Sequence, residues 1–130
     1  MLGHDPWRRW RMHPDHRAAG FLTVDAVVAA RDPHYHREHG RPHHRPDHLL
    51  LFECEEPNLF ESVTTGQVDA KVDALLAHQS QFETTMVIDD VADQAQLDGF
   101  RTRVQSDAAR TGRRVGVARA EAFRLLDPAR

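Results

Sequence analysis

Leu49-Leu50-Leu51-Phe52 is an unbroken apolar run, set between a proline- and histidine-rich stretch and the acidic turn Glu53-Cys54-Glu55-Glu56-Pro57-Asn58. A strand with one wetted face alternates apolar and polar residues. A run without alternation asks for cover on both faces, as in a parallel sheet flanked by helices. Such a sheet needs several strands, because a two-stranded remnant is marginal in water. Only one other segment, Glu121-Ala122-Phe123-Arg124-Leu125-Leu126-Asp127, reads as a strand. The expectation is therefore an α/β fold with too few strands, residues 1–130 forming the C-terminal part of a single larger domain, and a strand at 49–53 whose neighbours are largely missing. A compact three-helix protein with 49–52 as mere core is the competing arrangement.

Helices supply the rest. Pro14 followed by Asp15 marks a start, since proline suits the first helical position and an acid in the first turn favours the dipole. His13 then falls at or beside the N-cap. The segment from Arg17 to Arg31 carries Ala18, Phe21, Leu22, Val24, Ala26, Val27 and Val28 on most faces, the pattern of a helix sandwiched between layers. It stops at Asp32-Pro33, because proline pushes the preceding residue out of the helical region. Residues 33–47 hold three prolines, a glycine and five histidines without apolar periodicity, and form a loop. A second helix is predicted over 66–82, capped by Thr64 or Thr65. Its stripe is Val68, Val72, Leu75, Gln79 and Phe82, with Lys71, His78 and Gln81 on another flank. A third, over 93–111, buries Leu97, Phe100, Val104 and Ala108 and ends at Gly112 as a C-cap position. In the isolated chain, apolar faces of the first helix and of strand 49–53 should lie exposed.

Charge and length exclude several functions. Seventeen basic against twenty acidic residues leave a formal charge of −3, the wrong balance for a nucleic-acid partner held through charge. The longest apolar run, Ala26 to Ala30, is far short of a membrane span. Trp7-Arg8-Arg9-Trp10-Arg11 stands where a signal peptide needs an apolar core. One cysteine, Cys54, allows no intramolecular disulfide and fits a cytoplasmic location. Arginine outnumbers lysine sixteen to one, which with sixteen alanines points to a GC-rich bacterial genome.

Ten histidines in 130 residues direct attention to metal or acid–base chemistry. His13-Pro14-Asp15-His16 puts two imidazoles and a carboxylate in the first turn of a helix, with the imidazoles three residues apart and so projecting to neighbouring directions. Imidazole is the commonest metal ligand, and a carboxylate is its usual outer partner. By itself the string is also that of a plain helix cap. His78 reads as hydrogen-bonded at a helix–sheet interface. His34, His36, His39, His43 and His44 read as a solvated loop near a pocket mouth, and Glu53, Glu55 and Glu56 as a solvated acidic turn, although α/β proteins place ligands at such strand ends. Trp7, Trp10 and the arginines around them read as a lead-in loop.

The longer string Gly3-His4-Asp5-Pro6-Trp7-Arg8-Arg9-Trp10-Arg11, then His13-Pro14-Asp15-His16-Arg17 and Ala19-Gly20, resembles a conserved block of the PIG-L (LmbE-like) deacetylases. The likeness continues through Asp25-Ala26-Val27, Ala30-Arg31-Asp32-Pro33, Leu49-Leu50-Leu51-Phe52, Glu56-Pro57-Asn58, Val63-Thr64, Lys71-Val72-Asp73-Ala74-Leu75, His78-Gln79-Ser80-Gln81-Phe82 and Glu121-Ala122-Phe123. It implies a Rossmann-like three-layer sandwich, of which this chain holds the C-terminal half of the sheet and its helices. It also implies a metal-dependent hydrolase, with Zn2+ or another divalent metal such as Fe2+, that removes acetyl groups from N-acetylated amino sugars or related amides. His16 maps onto a metal ligand. His13 maps onto the residue assigned to the charged transition state or the leaving amine, and Asp15 would orient His13 or His16 by hydrogen bonding. The family's Ala-His-Pro-Asp-Asp-Glu block, source of two further ligands and the general base, does not occur here, so the chain alone is expected to be inactive. The implied partner is a small N-acetylated substrate, with no nucleic acid and no membrane span, and a homo-oligomer is compatible with it. The other class of function is a non-catalytic, His-rich metal-binding module.

Overall fold

The computed structural model describes residues 1–9 and 13–127. Trp10, part of the lead-in loop reading, lies outside them. Four strands and three α-helices follow in the order β1 (Leu2–His4), α1 (Pro14–Arg31), β2 (Leu49–Phe52), β3 (Leu59–Ser62), α2 (Thr65–Leu76), α3 (Gln94–Arg113) and β4 (Ala120–Leu126). The strands form one sheet in the order β1-β2-β4-β3. The fold is mixed α/β, as expected.

The strand at 49–52 does have neighbours, which corrects the expectation that they are largely missing. β1 pairs with it in parallel, His4 opposite Phe52. β4 pairs on the other side, antiparallel, with Phe123 opposite Phe52. β1 and β3 escape a sequence reading because runs of three or four residues carry too few turns of alternation to register. Nor is β2 covered alike on both faces: Leu49 and Leu51 are buried, whereas Leu50 and Phe52 are half-buried.

The chain divides into two compact units, Met1–Leu59 with Ala122–Arg130, and Phe60–Glu121. In the first, Val27 of α1 packs with Leu49 and Leu51 of β2, and Val24 and Leu126 close around them. The helix begins on His13, whose Nδ1 accepts the Asp15 N–H, and ends where the Asp32 N–H reaches the Val28 carbonyl. Only Gly20 and Val27 of α1 are buried. Phe21, Leu22 and Val28 stand 44%, 67% and 41% exposed, so α1 is covered on one side rather than sandwiched, while the buried face of β2 is not exposed as expected.

α1 reaches β1 through two glycines. A Cβ on Gly20 would lie 2.7 Å from the His4 carbonyl oxygen, and one on Gly3 would lie 2.6 Å from the Thr23 side chain. At Gly20 the helix backbone therefore meets the strand backbone at a separation that a Cβ would not permit, while Gly3 makes room for the Thr23 side chain.

In the second unit, Val72, Met86, Ile88 and Phe100 form the core, lined by Leu75, Leu76, Phe82, Leu97 and Val104. Thr64 and Gln67 close a capping box on α2. The helix ends at Leu76, short of the predicted 82, and the chain continues as a 3-10 turn and a π turn to Met86. His78 is exposed on that turn instead of lying at a helix–sheet interface. Gly112 is inside α3, not its cap: a Cβ there would meet the Val117 carbonyl at 2.6 Å. No described helix is long and apolar enough to cross a membrane.

Gly20→Ala should destabilise the chain by about 1–3 kcal/mol, the usual cost of forcing an extra carbon into a packed contact, read from urea denaturation. An unchanged midpoint would show that α1 and β1 can separate freely. Because Phe21, Leu22 and Val28 are exposed together on α1, the purified chain should also bind a hydrophobic dye strongly, and Leu22→Glu should reduce the signal.

Candidate functional site

Parallel pairing brings the carboxyl ends of β1 and β2 side by side, the position at which open α/β sheets bind ligands. His4 is the last residue of β1 and lies opposite Phe52, the last of β2. Their rings are 4.2 Å apart, and the Asp5 N–H extends the pairing by donating to the Phe52 carbonyl. Asp5 is buried, and its Oδ1 accepts the Trp7 N–H at 2.9 Å, which turns the chain away from the sheet immediately after His4.

Glu53 follows β2 with a φ of 55°, a left-handed conformation that ordinary side chains adopt at a cost. The turn brings its carboxylate to the site, with Oε2 3.3 Å from His4 Nδ1. From the other side, the first turn of α1 lays the His16 ring over His4 at 4.4 Å and 15°. His13 is next to it, ring centroids 5.0 Å apart. The metal-ligating atoms of His4, His16 and Glu53 all fall within 4.8 Å of one another.

Two imidazoles and a carboxylate are a donor set for zinc and similar borderline cations. Around a tetrahedral ion with bonds of about 2.0–2.1 Å, donor atoms sit roughly 3.4 Å apart. His4 and Glu53 already have that spacing, and the His16 ligating atom lies within 4.8 Å of both. The N-terminus of α1, with its positive dipole end, adds a preference for an anionic ligand beside the cluster.

The sequence-predicted residues are thus brought near the strand ends, but with two partners that were given no role. His4 belongs to a strand too short to recognise. Glu53 was read with its solvated neighbours, although its place directly after the apolar run was the available signal. The hydrogen bond at His13 comes from the backbone N–H of Asp15, at 3.3 Å. The Asp15 carboxylate stands 3.9 Å from the same ring nitrogen.

The loop histidines are elsewhere. His36, His39, His43 and His44 line an open cavity of about 780 Å3 against the C-terminal half of α1, and none of His4, His13, His16 or Glu53 lines it.

No family model matches the chain. Over 85 residues, 63% of its length, it is 35% identical to the diacetylchitobiose deacetylase of Thermococcus kodakarensis, of which the match covers 32%. The chain spans about a third of the length of that curated relative. Among solved structures, the N,N'-diacetylchitobiose deacetylase of Pyrococcus horikoshii, complexed with its inhibitor, superposes with a TM-score of 0.73 at 24% identity, over 97% of this chain and 45% of that one. A conserved protein of Thermus thermophilus superposes with a TM-score of 0.66 at 23% identity, over 98% and 50%. The structural likeness shows a shared fold.

Glu53 separates backbone strain from ligand chemistry. Glu53→Gly should leave stability within about 1 kcal/mol of the parent or raise it, since glycine accepts the positive φ. Both Glu53→Gly and Glu53→Gln should weaken Zn2+ binding at the cluster by about tenfold or more. Calorimetric titration measures this, and unchanged affinity in both variants would remove Glu53 from the donor set.

Proposed function

We propose that this chain is part of a PIG-L (LmbE-like) metal-dependent deacetylase that removes acetyl groups from N-acetylated amino sugars of the chitobiose kind. The observation that carries the reading is the gathering of His16, with His13 beside it, onto the carboxyl ends of two parallel strands in a fold shared with a deacetylase. The 35% identity to a diacetylchitobiose deacetylase supports the substrate class.

Amide hydrolysis needs a polarised carbonyl, an attacking water and a proton for the leaving amine. When bound, Zn2+ or Fe2+ supplies the first two. His16 is the proposed metal ligand, and the donor set around it suits such an ion, with His4 and Glu53 as the nearest further donors.

His13 takes a different part. Its Nδ1 accepts the Asp15 N–H, so in the neutral ring the proton resides on Nε2. That end would donate a hydrogen bond to the developing oxyanion. Asp15 holds the ring through its backbone N–H, and its carboxylate stands 3.9 Å from the same ring nitrogen. In this proposal the cap of α1 also fixes which ring nitrogen is left to face the substrate.

The general base of this family belongs to the Ala-His-Pro-Asp-Asp-Glu block, which the sequence does not contain. These 130 residues alone are accordingly proposed to be inactive, in a cytoplasmic protein of bacterial origin.

Joined to a segment that carries that block, the protein should hydrolyse N,N'-diacetylchitobiose. His16→Ala should abolish turnover together with metal retention at the strand-end cluster, and His13→Ala should lower kcat by about 10²-fold or more with KM little changed. Acetate release measures both. Hydrolysis by the 130-residue chain alone that survives His16→Ala would overturn the assignment.

A further inference from the structure

The loop that follows α1 holds a second group of metal-ligating side chains. After the helix ends at Asp32, that residue's side chain accepts the His34 N–H and its carbonyl accepts the Tyr35 N–H. The loop then turns at His36, whose backbone is left-handed at φ 48°, passes through a single 3-10 turn from Arg37 to His39, and leaves through Gly40 at φ 59°. Further on, the His44 N–H donates to the Ala30 carbonyl at 2.7 Å, tying the return of the loop to the helix. In 3-10 geometry residues three apart eclipse. His36 and His39 accordingly stack, with ring centroids 5.1 Å apart and planes within 7°.

Glu38 lies between them. Its Oε1 is 3.6 Å from His36 Nδ1 and 3.9 Å from His39 Nε2. All three ligating atoms fall within 4.8 Å of one another.

We propose that His36, Glu38 and His39 form a second binding site for a borderline divalent cation of the Zn2+ class, distinct from the cluster at the strand ends. Two nitrogens and one oxygen suit zinc better than calcium or magnesium, which take oxygen alone. A tetrahedral ion needs donors about 3.4 Å apart, and the two distances to Glu38 exceed that by only a few tenths of an ångström. Both histidines line the cavity beside α1, so a water or small anion entering from that side can take the fourth position. The site stands independently of the deacetylase reading.

The test is a Zn2+ titration of the intact chain against a competing chromophoric chelator, repeated with Co2+ to read coordination from its visible spectrum. The parent should bind two equivalents at micromolar strength. His36→Gln with His39→Gln should lose one of them, and Glu38→Gln should weaken the same one about tenfold, with the melting temperature unchanged because all three residues are exposed. His4→Ala with His16→Ala should lose the other equivalent and keep this one. Two equivalents retained in the His36/His39 variant, or a single equivalent in the parent that disappears with His4 and His16, would overturn the proposal.

Discussion

The contact on which the candidate site depends is the one between the backbone of α1 and the end of β1. Gly20 sits one turn beyond His16 and faces the carbonyl of His4, at a separation that leaves no room for a Cβ. His16 and His4 can stack because the helix is seated this low on the strand. Raising α1 by the width of a methyl group would move the first turn, and with it His13 and His16, away from both strand ends. The apolar contacts of Val24 and Val27 with Leu49 and Leu51 then fix the same helix laterally. Packing and chemistry are thus set by one interface.

What the sequence disclosed, and what it did not, follows from the range of each signal. The ends of α1 are written locally, in His13-Pro14-Asp15 and Asp32-Pro33, and the observed helix runs between them. β2 declares itself by continuous hydrophobicity, and β4 is long enough to register through Phe123, Leu125 and Leu126. β1 and β3 are too short to do so, and they turn an apparent shortage of strands into a four-stranded sheet. Gly112 shows a second kind of miss. A glycine near the end of a helical pattern reads as a cap, yet here it admits the returning chain at Val117 and Arg119, a contact whose partner no local pattern displays. The pairing of His4 with Glu53 is of that kind too, since it joins residues that only the parallel register brings together.

Backbone strain marks the candidate ligating groups more selectively than residue type does. Among the described residues, three that are not glycine have positive φ: His36, Glu53 and Val87. Two of these three belong to the two clusters of metal-ligating side chains. A left-handed residue costs on the order of 1–2 kcal/mol, a cost that persists only where the surroundings impose it. At Glu53 the turn swings a carboxylate back toward His4. At His36 it starts the 3-10 turn that eclipses His36 with His39. In both places the unfavourable φ is what converts a sequence neighbour into a ligand neighbour.

One helix organises both clusters. α1 has 18 residues, about 27 Å at the usual rise. Its first turn supplies His16 to the strand-end cluster, and the residues just past its C-terminus anchor the loop that carries His36, Glu38 and His39. The two ends differ electrostatically, which bears on what each can hold. The N-terminal end, the positive end of the helix dipole, favours anionic species beside His16, such as a developing oxyanion. The C-terminal end presents carbonyls and so favours cations, in keeping with the cation site proposed for His36, Glu38 and His39. The helix thus carries one candidate cation cluster near each end, and the proposed charge-stabilising role belongs to the N-terminal one, where the dipole also favours an anionic species.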